Sequence, residues 1–295
     1  MRKLFALVLL LSVPLCFGCS GKDDTTGPKE ELAITTLLTG LERPTGMWIK
    51  NGKVYFTETN GRNTTYCGKV ALSVFDTGSN VKRLLVNNPV NSDAVVMDGD
   101  GDIFLASWHG DSIGDFGKVS SVDTTTKTET HVADIEIAAI DMYVDGRDNL
   151  TVIGRSDNAT AKSILLLPSP LHRPVEIHES LGRATCLGFS GSVLYYSDGA
   201  SIKRFAACNI FELFVSKGVR SMSVSPRYLF YADLAGGRIG RITFSNKADG
   251  TLAAGLKDPI AVRWDGASGK LYFLEAGTAA GEFKDGTLRV ITGIR

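Results

Sequence analysis

The sequence predicts an all-β protein whose fold is a six-bladed β-propeller of four-stranded antiparallel blades. Three observations predict it. A short apolar run that ends at an acidic or small residue occurs six times, each copy lies among other strand-like segments, and the N-terminal segment resembles the one strand that the last copy lacks. Repeats with a period of about 40 residues are typical of propellers, in which each repeat folds into one blade.

The most regular element of the repeat is the second strand of each predicted blade. Its six copies begin at intervals of 49, 47, 44, 35 and 42 residues. Aliphatic and aromatic residues fill them, which is the composition of a strand that is buried on both faces. The copies are VYFTE (Val54–Glu58), IFLAS (Ile103–Ser107), LTVIG (Leu150–Gly154), LYYSD (Leu194–Asp198), LFYAD (Leu229–Asp233) and LYFLE (Leu271–Glu275).

A first strand precedes each of these runs through a tight turn. The segments read GMWIKNGK, AVVMDGDGD, DMYVDGRDN, CLGFSGS, SMSVSPRY and AVRWDGASGK. Their Asn-Gly, Asp-Gly, Ser-Gly and Ser-Pro pairs favour turns, because glycine and asparagine tolerate a positive φ and proline presets a turn. DGDGD (Asp98–Asp102) also resembles the start of a calcium loop, but Ile103 and His109 stand where that loop needs its glycine and glutamate. We interpret it as a hairpin turn.

A third strand follows each run, and a fourth strand follows in five of the six units. The sixth unit ends at Arg295 without a fourth strand, whereas ITTLLTGLERP (Ile34–Pro44) matches GTLAAGLKDP (Gly250–Pro259) in pattern. We therefore expect the N-terminal strand to complete the last blade and close the ring, because closure removes exposed sheet edges. Residues 33–295 then form the propeller, with about 44 residues in each blade.

Residues 1–19 predict a lipoprotein-type signal peptide. Arg2 and Lys3 precede an apolar run, Leu4–Leu15, that is too short to span a membrane. Gly18 and Cys19 resemble the end of a bacterial lipobox, in which the cysteine carries the lipid and becomes the mature N-terminus. An ordinary secretory signal that is cut near Gly18 is the alternative.

The segment after the signal bears on location. Residues 20–32 are polar and have no apolar periodicity, so we expect a flexible tether there. Ser20, directly after the cysteine, resembles the sorting choice of many outer-membrane lipoproteins. We therefore expect an exported protein. Its N-terminal lipid would anchor it in the outer membrane, where it would face the periplasm or the cell surface.

Charge and cysteine content limit the classes of function. Basic and acidic residues balance at 32 each, so bulk charge predicts neither a nucleic-acid groove nor a polybasic membrane surface. Beyond the signal only Cys67, Cys186 and Cys208 remain, so at most one disulfide can form, and Cys186–Cys208 is the nearest pair in sequence. The mature sequence has no Cys-x-x-Cys motif, Ser-His-Asp order or phosphate loop. We expect a monomer that does not bind nucleic acid.

Two stretches resemble the NHL-type repeat, whose units read Pro-x-Gly-Ile-Ala-Val-Asp, Leu-Tyr-Val-Ala-Asp and Asn-x-Arg-Ile. They are RPTGMWIKNGKVYFTETNGR (Arg43–Arg62) and SMSVSPRYLFYADLAGGRIGRI (Ser221–Ile242). The resemblance implies the fold and no particular activity. The wider clan includes the gluconolactonase/regucalcin group, whose metal-dependent lactonases use Glu, Asn and Asp near the channel. Their Glu-Gly-Pro-x-Trp opening is missing here, since Arg43–Trp48 stands in its place, and their ligands do not carry over.

A ring of carboxylates is the first candidate site. The last positions of the six second strands are Glu58, Ser107, Gly154, Asp198, Asp233 and Glu275. Equivalent positions of a propeller form a ring on one face, where carboxylates can hold a hard cation such as calcium. They can equally accept backbone N–H bonds from the next turn, which is the interpretation that we favour.

Six equivalent positions of the first strands form a second column, in which every residue but one is small. It reads Gly46, Ala94, Asp141, Cys186, Ser221 and Ala261, and small residues let strands approach the axis. Asp141 is the exception, because an ionised group near the axis needs a partner, water or a cation. An ion pair with Arg155 or Arg183 would satisfy it; a divalent cation held by Glu58, Asp141, Asp198 and Asp233 is the alternative.

From these features we expect a binding face on the loops that follow the second strands. Aromatic and polar side chains at Trp108 and His109 suit the mouth of a ligand site. The full set expected on this face is Glu58, Asn60, Trp108, His109, Asp141, Arg155, Asp198, Asp233 and Glu275. Our first hypothesis is non-catalytic recognition of a protein or glycan without a cofactor. The alternative is a metal-dependent hydrolase of the gluconolactonase type with calcium or another divalent cation.

Overall fold

The computed structural model describes residues 31–59, 70–88, 92–109, 116–155, 162–178, 184–198, 201–206, 209–215, 218–280 and 282–295. Residues 31–295 form one compact unit. Its 24 strands form six four-stranded antiparallel sheets, so the predicted all-β, six-bladed propeller is confirmed. No helix in the described ranges is long and apolar enough to cross a membrane.

The first three blades follow the chain in order from the innermost to the outermost strand. Blade 1 contains β2 (Pro44–Lys50), β3 (Lys53–Glu58), β4 (Val70–Asp76) and β5 (Val81–Asn88). Blade 2 contains β6 (Ser92–Met97), β7 (Ile103–His109), β8 (Phe116–Asp123) and β9 (Thr128–Ile135). Blade 3 contains β10 (Ala138–Val144), β11 (Leu150–Arg155), β12 (Lys162–Leu167) and β13 (Val175–His178).

The second half repeats this order until the last blade. Blade 4 contains β14 (Cys186–Ser190), β15 (Val193–Ser197), β16 (Ser201–Ala206) and β17 (Asn209–Val215). Blade 5 contains β18 (Val219–Val224), β19 (Tyr228–Asp233), β20 (Arg238–Thr243) and β21 (Asp249–Ala254). Blade 6 contains β22 (Pro259–Asp265), β23 (Lys270–Glu275), β24 (Gly286–Thr292) and, as its outermost strand, β1 (Ala33–Leu41).

Pairing of the two ends of the chain closes the ring. β1 runs antiparallel to β24, with Thr35 opposite Val290 and Thr39 opposite Thr287. The expected closure by the N-terminal strand is therefore confirmed. Because β24 has β23 on its other side, its backbone groups are paired along both edges, and the last blade presents no half-finished sheet.

Packing between blades supplies the hydrophobic core. Six clusters of buried residues are present, and each joins two neighbouring blades around the ring. Phe56 of blade 1, for example, packs with Tyr272 and Leu274 of blade 6. The second strands contribute the largest of these side chains, because they lie at mid-blade with both faces covered. Their near-continuous apolar composition follows from this position.

The innermost strands carry a bulge near their starts. The register between first and second strands shifts at Pro44/Met47, Ser92/Ala94, Ala139/Asp141, Val219/Ser221 and Pro259/Ala261, and β14 pairs without a shift. A bulge bends its strand and redirects the next side chain. In blades 2, 3, 5 and 6, the residue after the shift belongs to the column of mostly small residues described above, here called the small column: Ala94, Asp141, Ser221 and Ala261.

Candidate functional site

The innermost strands surround a narrow central cavity at the face where the second strands end. This face is defined by Glu58, Asp233 and Glu275, which pair with the first residues of β2, β18 and β22; we call it the strand-end face. Four of the six small-column residues line the cavity, together with polar and charged neighbours. Its polar and small lining residues are Thr45, Gly46, Asp141, Arg220, Ser221, Ala261 and Arg263.

Asp141 forms an ion pair with Arg263, with Oδ1 and Nη2 3.2 Å apart. Both side chains are largely buried, at 11% and 12% relative exposure. Asp141 belongs to blade 3 and Arg263 to blade 6, which are three places apart in a ring of six. The ion pair therefore crosses the axis of the propeller. The partners expected from the sequence, the side chain of Arg155 and the whole of Arg183, lie outside the described part of the chain. The alignment of strands does not reveal that an arginine two positions after Ala261 reaches across the channel.

Further hydrogen bonds hold this pair in place. Oδ1 of Asp141 also accepts the N–H of Met142 at 2.9 Å, and Oδ2 accepts the N–H of Leu187 at 3.2 Å. Nη1 of Arg263 donates to Ser221 Oγ and to the carbonyl of Met222, at 3.1 and 2.9 Å. Within the described part of the chain, Oδ2 has this single donor, which leaves it with unused accepting capacity.

A second guanidinium, that of Arg220, lines the same cavity. It is half-buried and close enough to Asp141 to act on the pKa of its carboxyl group. The described residues offer it no hydrogen bond or ion pair. The cavity thus holds two guanidinium groups and one carboxylate, so its local charge favours an anionic or oxyanionic group over a second cation.

Burial raises the pKa of Asp141, and this is the largest influence on it. Arg263, the N–H groups of Leu187 and Met142, and Arg220 act in the opposite direction because they stabilise the carboxylate. Burial also raises the pKa of the Cys186 thiol, to about 12, so this free, buried cysteine is protonated at neutral pH. Cys208 lies outside the described residues.

Each carboxylate of the predicted ring is bound by a basic side chain of its own blade and by a nearby backbone N–H, beginning with Glu58 and Asp198. Glu58 accepts the N–H of Glu42 at 3.1 Å and pairs with Lys82 Nζ at 2.7 Å. Asp198 accepts the N–H of Ser201 at 2.8 Å and pairs with Lys203 Nζ at 2.6 Å. A backbone N–H and a lysine from an outer strand therefore serve both of these acids.

Asp233 and Glu275 follow the same scheme with arginine in place of lysine. Asp233 accepts the N–H of Gly236 at 2.8 Å and the Nε–H of Arg238 at 3.2 Å. Glu275 accepts the N–H of Lys257 at 2.8 Å and pairs with Arg289 Nη1 at 3.3 Å. All four acids are strand-end residues that tie a turn to the sheet.

A divalent cation does not fit this arrangement. Among the residues that the structure describes, no three His, Cys, Asp or Glu side chains form a group that could hold a metal. Glu58, Asp198 and Asp233 each already pair with a lysine or arginine. Asp141 shares its cavity with two guanidinium groups, which would repel a divalent cation, whereas calcium needs six to eight oxygen ligands. The structure therefore does not bring together the alternative set of Glu58, Asp141, Asp198 and Asp233.

The other predicted site residues are placed only in part. Trp108 and His109 end β7, and Arg155 ends β11; their side chains lie outside the described part, as do the whole of Asn60 and the lipidation candidate Cys19. The central arginines were missed. Arg220 directly precedes the small-column residue Ser221, and Arg263 lies two positions after Ala261. A basic residue this close to the small-column position is the signal that could have identified both.

The opposite face of the channel carries a larger cavity of about 180 Å³. It lies at the ends of the first strands, beside the hairpin turns, and we call this the hairpin face. Arg263 lines this cavity as well as the polar one, so the ion pair with Asp141 lies between the two. Aromatic side chains predominate in the lining, which includes Trp48, Tyr143, Phe189, Ser223, Arg263 and Trp264.

No protein-family model and no curated protein matches the chain. Solved structures match it throughout. Regucalcin from Agrobacterium tumefaciens, a calcium-binding protein, aligns with a TM-score of 0.68 at 14% identity over 88% of this chain and 93% of that one. A gluconolactonase from Xanthomonas campestris aligns with a TM-score of 0.67 at 12% identity over 88% and 89%. A luciferin-regenerating enzyme aligns with a TM-score of 0.69 at 12% identity over 89% and 96%. At such identities the likeness shows the fold, a six-bladed β-propeller with gluconolactonase- and regucalcin-like structural neighbours.

Proposed function

We propose that this protein is a small-molecule hydrolase of the lactonase type, with Asp141 at its reaction centre. The observation that carries the proposal is the position of Asp141, the one carboxylate among the described residues that line the cavity at the strand-end face. The gluconolactonase and regucalcin among the structural neighbours support a small-molecule function over the protein- or glycan-binding surface that we expected from the sequence.

Asp141 acts as the general base in this proposal. Its Oδ2 accepts only the N–H of Leu187 within the described chain, so it can accept a proton from a water molecule. That water forms a bond to the lactone carbonyl carbon. When the ring C–O bond breaks, the leaving alkoxide takes the proton from Asp141, and the product is a hydroxy acid. A pKa raised by burial makes the carboxylate a stronger base than an exposed aspartate.

Arg220 stabilises the oxyanion that develops on the carbonyl oxygen. Its guanidinium lines the cavity without a hydrogen-bond partner among the described residues, so its N–H groups are available when charge appears. Arg263 has a different role, because three of its hydrogen bonds and its ion pair fix it beside Asp141. It positions the base. The guanidinium of Arg220 thus stabilises the oxyanion in this proposal, a role that a metal ion would otherwise fill. The described residues of the channel do not form a metal site.

A panel of lactones tests the proposal. Acid release is followed with a pH indicator, once in EDTA and once with added calcium, and we expect turnover in both. Asp141→Asn should lower kcat/KM about 100-fold or more, and Arg220→Met should lower it by a similar factor. Arg83→Gln, which changes an exposed arginine of β5, is the control. Absence of turnover above the buffer rate, or turnover only with calcium, would overturn the proposal.

Recognition of a protein or glycan without catalysis is the second candidate. It is supported by the ring carboxylates, since backbone N–H groups and basic side chains already engage Glu58, Asp198, Asp233 and Glu275, which leaves them poorly placed to coordinate a metal. A glycan array probed with the full chain tests it. Saturable binding that Trp108→Ala abolishes, together with an inactive lactone panel, would favour this candidate over the hydrolase.

We also propose that Cys19 carries a lipid that anchors the protein at the outer membrane. The support is the sequence around it, a basic start and a short apolar run that ends in a small residue before the cysteine. Cell fractionation of the wild type and of Cys19→Ala tests this, with export monitored by signal cleavage. Equal membrane association of both proteins would contradict lipid anchoring.

A further inference from the structure

We infer that the hairpin-face cavity is a second ligand site, which takes one uncharged planar ring that carries a hydrogen-bond acceptor. The inference does not depend on the proposed hydrolase activity, because Asp141 does not line this cavity and Arg263 lies between the two cavities. Its lining comes from the innermost strands of five blades, β2, β10, β14, β18 and β22. Only a closed ring brings these strands together.

The size of the cavity matches a single ring. Its volume is about 180 Å³. A cavity of about 150 Å³ lined by apolar side chains is known to take a benzene molecule, whereas pockets for drug-sized ligands measure roughly 300–1,000 Å³. The hairpin-face cavity therefore suits a six-membered ring with a small substituent.

The aromatic lining is already arranged to receive a flat molecule. The ring centroids of Tyr143 and Phe189 are 4.8 Å apart, and those of Trp48 and Tyr143 are 6.1 Å apart at an interplanar angle of 75°. These four-to-seven-ångström separations are those at which aromatic rings attract each other. All three side chains are half-buried, so apolar ring surface is left exposed at the cavity, and a planar ligand can cover it.

Two hydrogen-bond donors in the lining have no acceptor among the described residues. Ser223 Oγ accepts the N–H of Trp264 at 2.9 Å, and no acceptor within the described chain takes its own hydroxyl proton. The Nε–H of Arg263 is buried and has no partner there either. An oxygen substituent on the ligand can satisfy such a donor, and burial makes each unsatisfied donor costly.

The charge of the lining argues for a neutral ligand. Arg263 is already paired with Asp141 at 3.2 Å. Burial raises the pKa of the Tyr143 hydroxyl group, and the nearby carboxylate of Asp145 raises it further. An anionic ligand would therefore meet a neutralised arginine and the field of two carboxylates. Among the described residues, the lining holds no carboxylate with which a cationic ligand could pair.

Bonds between neighbouring hairpins hold the rim of this cavity. Lys50 Nζ donates to the carbonyls of Asp98 and Gly99, the latter at 2.7 Å, and the N–H of Gly99 donates to Asp148 Oδ1 at 2.7 Å. These contacts join the hairpins of blades 1, 2 and 3. They fix β2 and β10, which carry Trp48 and Tyr143, so the cavity is formed before a ligand arrives.

Titration of the full chain with phenol, followed by ligand-detected NMR, tests the inference. We expect saturable binding with a Kd of roughly millimolar order, as is usual for a ligand of so few atoms. Benzoate, the charged probe, and cyclohexanol, the non-planar probe, should each bind at least about fivefold more weakly. Binding of all three with equal affinity, or none by phenol up to its solubility limit, would overturn the inference.

Matched variants locate the binding. Phe189→Leu should weaken phenol binding about fivefold, since it removes one ring from the lining but keeps an apolar side chain. Phe244→Leu is the control: Phe244 is also half-buried and stacks on Tyr195 at 5.4 Å, away from the cavity. Arg220→Met should leave phenol binding unchanged, which separates this site from the hydrolase centre. Equal losses in the two phenylalanine variants would contradict the assignment.

Discussion

Asp141 differs from the other acids in the described ranges because its partner comes from the opposite side of the ring. Burial raises its pKa, so the folded protein keeps this proton to a higher pH than the unfolded chain does. The resulting contribution to stability is fully present below the unfolded pKa, about 3.9, and is lost as the pH rises through the folded pKa. Relative to Asp141→Asn, the wild type should lose free energy of unfolding as the pH rises from about 4 through the raised pKa of Asp141. Urea unfolding across this range measures it, and a pH-independent difference would contradict the raised pKa.

The ion pair itself gives a second prediction at the residue scale. Arg263→Met leaves the Asp141 carboxylate buried without its cation and should cost about 3–5 kcal/mol of unfolding free energy. The double variant Asp141→Asn/Arg263→Met removes both charges and should cost clearly less than the sum of the single changes. Denaturant unfolding of the four proteins provides the cycle. Additive costs would show that the two side chains do not interact.

The sequence pointed to Asp141 and not to Arg263. Asp141 stood out as the one charged residue in a column of small ones. Arg263 lies 122 residues away in the chain, and nothing in a strand pattern says how far a long side chain reaches across a channel. The bulge before the small-column position in blades 2, 3, 5 and 6 also leaves no sequence signal of its own, yet a bulge redirects the side chain that follows it.

Among the elements of the repeat, the second strand varies least from blade to blade. In blade 5 its packing against the third strand requires a glycine. Gly240 of β20 lies so close to Tyr231 of β19 that an added Cβ would overlap the tyrosine ring at Cζ. Tyr231 cannot easily move, because its hydroxyl donates to Asp249 Oδ1 at 2.5 Å and the guanidinium of Arg238 lies 5.3 Å from its ring.

Gly240→Ala should therefore destabilise the protein by roughly 1–3 kcal/mol through overpacking. Gly250→Ala is the matched control on the adjacent strand, where the nearest atom to an added Cβ is 4.0 Å away. Thermal unfolding monitored by circular dichroism compares the two. Similar melting temperatures for both variants would show that the Tyr231 ring accommodates the methyl group.

At this scale the sequence was informative because an apolar run that ends at an acidic or small residue recurs six times. The apolar runs predicted the second strands nearly to the residue; LYFLE, for instance, lies within β23. What the pattern could not supply was the basic partner of each acid, because Lys82 lies on the fourth strand of its blade whereas Lys203, Arg238 and Arg289 lie on third strands. Such partners follow from sheet geometry.

For the whole molecule, stability depends on closure of the ring by β1. Deletion of residues 31–41 would leave the outer edge of β24 unpaired and would open the cluster in which Leu41 packs with Leu288. We expect a melting temperature lower by at least about 10 °C, or aggregation through the exposed edge. A chain that starts at residue 31 is the control. An unchanged melting temperature after the deletion would contradict closure by this strand.

The six blades were predictable from the period of the repeat and from the likeness of the N-terminal strand to the fourth strand of blade 5. The lining of the channel was not predictable. Both cavities are built from residues of several blades, and their contents depend on which side chains meet at the axis. The aromatic residues near the ends of the first strands, such as Trp48 and Tyr143, were visible in the sequence. Their convergence on one cavity appears only once the ring is closed.

The pH dependence of lactone hydrolysis tests the central claim most directly. For the most reactive lactone, kcat/KM of the wild type should rise with pH along a limb whose midpoint lies above the ordinary aspartate pKa of about 3.9, because Asp141 must be ionised to act as the base. Asp233→Asn, at a ring carboxylate outside the cavity, should keep the same limb. Asp141→Asn should lack turnover while it remains folded. Turnover by Asp141→Asn with an unchanged pH profile would contradict a reaction centre at Asp141.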